Sequence, residues 1–262
     1  MKYLLLKRIL SWELSDLFRF PILELAVFVT AFQLIPPTSI TPPLVKISYI
    51  NPINKTFPFI TLGEYLGPHL IGTCMKLYLS QAFLTSLFFC LSFSYEAERG
   101  FMKLKLSLPI SRKSLFLVKI ASCFTVLLIM DVLLFFLGLL LQYFPVISLI
   151  PTAFESISKF LLILTLQLLY LSSVTILIST HQKNLGTALL FSLSATLVPF
   201  TIPSIPRYLE IIPPFSTRYF LSFMVGEVAL QNIALRALLQ VLISLTMLIL
   251  SYVRFTRWYE VP

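Results

Sequence analysis

The run Leu115–Leu141, LFLVKIASCFTVLLIMDVLLFFLGLLL, decides the fold, and its only charges are Lys119 and Asp131. It is long enough to cross a bilayer core, which takes about 20 helical residues. A barrel strand would alternate in polarity over about ten residues, whereas this run is apolar on all sides. Backbone in hydrocarbon has no water to bond to, so a span must satisfy its own N–H and C=O groups, as a helix does. Five other runs read the same way: Pro21–Ile35 (short unless Leu17–Phe20 contribute), Leu70–Phe93, Phe160–Ile178, Leu185–Pro203 and Ile233–Val253. The expectation is an all-α, polytopic membrane protein of six transmembrane helices, with residues 1–262 forming a single membrane domain.

Composition agrees. The 262 residues are 58% hydrophobic and 12% charged, with a mean hydropathy of +0.92. Soluble domains are about 45–50% apolar and about 25% charged, so a soluble enzyme and a disordered chain are both excluded. With 7 Gly and 3 Cys, collagen, disulfide scaffolds and cysteine-rich zinc modules are excluded too.

Basic residues set the expected orientation. Lys2, Lys7, Arg8 and Arg19 precede the first span. Arg99, Lys103, Lys105, Arg112, Lys113 and Lys119 follow the second, Lys183 follows the fourth, and Arg254 and Arg257 follow the last. The alternate loops carry fewer: Lys46 and Lys55, then Lys159, then Arg207 and Arg218. The positive-inside rule puts both termini in the cytoplasm of a multi-pass protein of the cytoplasmic (plasma) membrane. The net charge of +9 then reflects topology and attraction to anionic lipid heads, with no nucleic acid as partner.

Two flanking regions differ from the spans. In residues 1–19, Leu6, Leu10, Leu14 and Leu17 recur at helical spacing, with Lys7, Arg8, Ser11, Ser15 and Arg19 largely opposite. This predicts an amphipathic helix lying in the cytoplasmic interface, with Trp12 at a suitable depth; the alternative is a plain extension of the first span. Tyr3–Leu6 is too short for the apolar core of a cleaved signal. Residues 203–232 are interrupted by Pro203, Pro206, Pro213 and Pro214, which suggests an outer re-entrant helical hairpin before the last span.

The loop at residues 94–119 reads SYEAERGFMKLKLSLPISRKSLFLVK. Ser111 is a sound N-cap, and Pro109 stops the preceding helix. Phe101, Leu104 and Leu108 form a helical stripe, while Met102, Leu104, Leu106 and Leu108 alternate as in a strand. Either way, a charged segment with an apolar stripe lies just outside the bilayer and is a candidate docking element; the plainer alternative is a solvated loop on lipid heads.

This loop resembles the cytoplasmic loop of ABC transporter permeases of the type-2 exporter class. The matching residues are Glu96, Glu98, Gly100, Leu104, Ser107, Leu108, Pro109, Ile110, Ser111, Arg112 and Lys119. The chain departs from the pattern at Phe101, where Thr is usual, and at Lys103, where an acid is common. The interfacial first helix, six spans and Pro-rich hairpin are also similar to that class. The resemblance implies a second permease chain (homodimer or heterodimer) and two copies of a cytoplasmic ATP-binding-cassette ATPase subunit. It implies that Glu96, Glu98, Gly100, Phe101, Leu104, Leu108, Pro109 and Arg112 form the coupling segment. The chain has no G-x-x-x-x-G-K-[ST], so ATP and magnesium would bind in the partner, and no cofactor is expected here.

Ionisable residues inside spans raise functional questions by default. Asp131 lies about twelve residues past Lys119, hence about 18 Å along a helix. Either it meets a cationic or hydroxylated substrate, or it bonds a polar residue of a neighbouring span. Glu24, near the cytoplasmic end of the first span, either joins Asp131 in a polar pathway or pairs with Arg19 or a loop cation, and Lys119 is expected to snorkel. Gln142, Gln167 and Gln240 read as interhelical glue. His69 and His181 fall on opposite sides of the membrane, and Cys74, Cys90 and Cys123 show no C-x-x-C, so neither metal site nor catalytic residues are expected. The 24 Phe and 11 Tyr suit an amphipathic or hydrophobic cargo. Two alternatives stand beside an exporter: a lipid-modifying membrane enzyme using Glu96, Glu98 and Arg99, and a non-transporting assembly or immunity subunit.

Overall fold

A computed structural model describes residues 2–17, 24, 78–107, 110–143, 154–201, 213 and 230–258. Every regular element among them is helical. Helix α1 is Lys2–Leu17. Helix α2 spans residues 78–98, widening to a π-helix over Leu91–Tyr95 before Glu96–Glu98. A short α3 covers Phe101–Ser107, α4 Arg112–Tyr143, α5 Phe154–His181 and α6 Leu185–Thr201. Helix α7, Leu230–Val253, runs into a second π-helical segment, Arg254–Trp258. Within these, Arg112–Leu133, Ser158–His181 and Ile233–Arg257 are long and apolar enough to cross a membrane, and Leu185–Leu197 is a shorter apolar helix. The described residues are all-helical, and these long apolar helices make the chain a membrane-embedded protein.

The helices extend the expected spans by a few residues at most ends. The first expected span, Pro21–Ile35, lies outside the described residues except for Glu24, which is exposed. Residues 70–77 also lie outside them, as does the expected hairpin at 203–232 apart from Pro213 and residues 230–232, which begin α7.

Packing is explained by side-chain type. Helix α5 is the central element and lies against α6 and α7, while α1 runs along α4. Small polar groups let these helices approach and bond: Ser94 Oγ donates to the Ser179 carbonyl at 3.0 Å, and Tyr78 OH to the Thr196 carbonyl at 3.3 Å. Gln240 Nε2 donates to the Leu166 carbonyl at 2.8 Å, which is the glue role expected of it. An aromatic knot joins α2, α4 and the end of α7 with the π-helical segment after it. Phe93 meets Phe116 and Phe255 edge-on at 5.8 Å each, and Phe116 meets Tyr252 at 5.7 Å.

The segment Phe101–Ser107 is helical, which decides between the two periodicities that its sequence allows. Two local signals fix its entry and exit. Gly100 sits at φ +77°, a left-handed conformation that a side chain disfavours, and it turns the chain out of α2. Ser111 Oγ accepts from the Ser114 N–H at 3.1 Å, capping α4 as expected.

Candidate functional site

Helix α1 turns Ile9 and Glu13 inward and leaves Lys7, Arg8, Ser11 and Trp12 exposed. An acid on the buried side requires a cation, and two arrive. Lys105, on the inner face of α3 with Met102, places Nζ 2.7 Å from Glu13 Oε1 and 2.8 Å from Glu96 Oε1. Lys119, on α4, places Nζ 3.1 Å from Glu13 Oε2 and 2.8 Å from Glu96 Oε2. Each carboxylate bridges both ammonium groups, so four side chains close a ring that joins α1, α2, α3 and α4. Asp16 adds a weaker contact to Lys105 at 3.8 Å.

The ring is largely buried: Lys119 is fully buried and Glu13 is 2% exposed. Charge in such a place is tolerated only when it is paired and hydrogen-bonded. Lys119 therefore also donates to the Ser92 carbonyl at 2.9 Å, within the π-helical turn, and lies over the Phe93 ring. Lys105 lies over the Trp12 ring. Burial pushes the Glu13 carboxyl up, but Lys119 and Lys105 together outweigh it and hold the group below the usual range. Burial opposes charge on Lys105 as well, yet Glu96 and Glu13 raise it above the usual range.

Every carboxylate oxygen of the ring lies within 3.1 Å of an ammonium nitrogen, although Glu96 Oε2 is ion-paired to Lys119 without a hydrogen bond. The ring's carboxylates are engaged by ammonium groups, which leaves it a mechanical clasp more than a reaction centre. No group of three or more His, Cys, Asp or Glu among the described residues is placed to hold a metal.

The expected coupling residues separate into different roles. Glu96 belongs to the clasp. Glu98 instead accepts from the Leu185 N–H at 2.9 Å, at the start of α6, where a negative charge is favourable. Asn184 Oδ1 supports the same helix start, accepting from the Gly186 N–H at 2.8 Å. Arg112 is exposed and donates to the Thr256 carbonyl at 3.5 Å. Phe101 and Leu104 point outward, 53% and 61% exposed. Leu108 and Pro109 lie outside the described residues. Lys119 does not snorkel as expected: Glu13, Glu96 and Ser92 hold it inside.

These contacts bring α1, the 94–119 loop, the α5–α6 turn and the C-terminal segment to one end of the bundle. They are the segments in which the sequence concentrates Lys and Arg. Sequence reasoning missed Glu13 as a site residue and took Lys105 only as a topological charge. The available signal was the position of Glu13 between Leu10 and Leu14, on the apolar side of α1.

A second polar site lies farther along α4. Asp131 is buried, and its Oδ2 accepts from Gln81 Nε2 at 2.8 Å; the same nitrogen lies 3.3 Å from the Leu164 carbonyl. Asp131 thus bonds a neutral residue of another helix, the simpler of the two expectations for it. Glu24 is not brought to either site. Elsewhere, an open groove of about 830 Å³ runs beside α5, α6 and α7, lined by Leu177, Ile178, Phe191, Ala195 and Leu250, with His181 and Gln182 also on its wall.

No protein-family model matches the chain, and neither a curated protein nor a solved structure is detectably similar to it.

Proposed function

We propose that the chain is the transmembrane permease subunit of an ATP-binding-cassette exporter, driven by a separate ATPase. In this reading six spans cross the cytoplasmic membrane, with both termini in the cytoplasm. The cargo is amphipathic or hydrophobic, and the functional unit pairs this chain with a second permease chain above two ATPase subunits.

The observation that carries the reading is the two-faced character of α3. Its inner face, Met102 and Lys105, is locked to α1, α2 and α4, while its outer face offers Phe101 and Leu104 to a partner. A helix seated in an ATPase groove by those two residues would pass displacement through the clasp into α4. Such a load biases the membrane helices only if the contacts differ between two states, and a buried ion ring is stiff enough to relay that difference. The lipid-enzyme alternative would draw on Glu96 and Glu98, of which Glu96 is tied to Lys105 and Lys119 while Glu98 is exposed with one oxygen on the Leu185 N–H.

The test is purification of the whole chain in mild detergent from its native host. A near-stoichiometric ATPase should copurify and be lost when Leu104 is changed to Asp. Vesicle transport should then require that ATPase. An ATPase retained by Leu104→Asp would refute the docking assignment, and transport or lipid chemistry by the chain alone would refute the permease reading.

A further inference from the structure

Asp131 and Gln81 pose a problem of valence. The carboxyl of Asp131 is 1% exposed. Its Oδ2 has a donor in Gln81 Nε2, but its Oδ1 and the Oε1 of Gln81 are both buried without a hydrogen-bond partner. Two acceptors on a bonded pair of side chains are thus left without donors. Unmatched buried acceptors are uncommon in native structures and call for an explanation.

Charge does not supply it. On α2 the described ionisable residue nearest in sequence to Gln81 is Tyr78, whose hydroxyl donates to the Thr196 carbonyl. On α5 those flanking Leu164 in sequence are Lys159 and Tyr170. Glu13 and Asp16 of α1 meet the Lys105 and Lys119 end, as does the segment with Arg254 and Arg257, through Arg112. Among the described residues no cation pairs with Asp131, whose one hydrogen bond is from Gln81. A bare carboxylate so placed would lack any counter-ion, and a buried group in that position neutralises.

We propose that Asp131 and Gln81 form an intramembrane proton-binding site. One proton added to Asp131 Oδ1 satisfies both orphan acceptors at once. The new O–H donates to Gln81 Oε1, while Gln81 Nε2 continues to donate to Asp131 Oδ2. The product is a cyclic acid–amide pair with two parallel hydrogen bonds linking α2 to α4. Loss of the proton returns it to solvent and leaves one bond and two unmatched acceptors, so the tie between these helices depends on the bound proton.

The experiment uses the full chain in lipid nanodiscs, without nucleotide or partner, so its result is separate from the permease reading. Infrared difference spectra between the parent protein and Asp131→Asn should show the carbonyl stretch of a protonated carboxyl at neutral pH. Thermal melts supply the second readout. Asn rebuilds both bonds, so Asp131→Asn should melt with the parent, whereas Asp131→Leu and Gln81→Leu should melt lower. Raising the pH should lower the parent's midpoint relative to that of Asp131→Asn. Absence of the carboxyl band, or a midpoint for Asp131→Asn as low as that of Asp131→Leu, would overturn the proposal. So would a parent midpoint that moves when sodium replaces potassium while that of Asp131→Asn stays still, because a metal cation would then occupy the site.

Discussion

Two buried polar sites on one helix solve the same problem in opposite ways. Near the start of α4, Lys119 is surrounded by matched charge: two carboxylates, a second ammonium and a backbone carbonyl. At Asp131 there is a single neutral partner and an unfilled acceptor. The first arrangement resists rearrangement, because displacing either ammonium leaves two carboxylates sharing the other. The second changes its bonding with one proton. The difference teaches where rigidity and responsiveness belong: the clasp holds the helices at one end of the bundle, and the pair farther along permits a discrete change.

The contrast is broken most severely at Lys119. Lys119→Met removes a cation and leaves Glu13 and Glu96 sharing only Lys105. Removing one partner from a buried ion pair costs about 3–5 kcal/mol, so Lys119→Met should sharply lower the melting midpoint in detergent or fail to accumulate. Adding Glu13→Gln removes one uncompensated charge and should recover part of the loss, a coupling that a double-mutant cycle measures directly. Asp131→Asn should fall within about 0.5 kcal/mol of the parent. If Lys119→Met were equally mild, the two sites would not differ as described.

Acid tests the same contrast without mutation. The Glu13 carboxyl is held below its usual range by Lys119 and Lys105 against the effect of burial. Its stabilisation is therefore fully present above the unfolded value of about 4.3 and is lost as pH falls through the lower folded value. Lys105 is shifted upward, so its contribution is present below about 10.4 and is lost only as pH rises beyond that. Melting midpoints should show a fall at the acid end that Glu13→Gln flattens.

A smaller effect is expected at Gly100, which delivers α3 and Lys105 to the clasp. A methyl group placed on its Cα would meet nothing within 4 Å, so the cost of Gly100→Ala is conformational, set by φ +77°. A left-handed residue other than glycine costs about 1–2 kcal/mol, and the midpoint should drop accordingly, by less than for Lys119→Met.

Much of the helical frame was legible because hydrophobic runs and caps act locally. Leu185 begins both the expected span and α6, Val253 ends both the expected last span and α7, and Ser111 caps α4 as expected. The clasp was less legible because its members are distant in sequence, with Glu13 and Lys119 separated by |i−j| = 106. Nothing close in sequence pairs Lys119, so its expected course is toward solvent, and the bond from the Leu185 N–H to Glu98 is equally hidden because it spans |i−j| = 87. Periodicity assigns faces; it does not say which distant face meets which.

The smallest effect on the fold should come from α3's outer face, and that smallness makes it informative. Phe101 and Leu104 are exposed, so Phe101→Ser and Leu104→Ser should each shift stability by no more than about 0.5 kcal/mol. Met102 is fully buried in the core on the opposite face, and Met102→Ala should cost about 2–5 kcal/mol. Measured side by side, the outward pair should leave the melt unchanged while abolishing ATPase capture, and the inward residue should lower the melt. Should the outward pair destabilise the isolated chain as much as Met102→Ala, those side chains would serve the fold itself, and α3 would have no free face with which to receive a load.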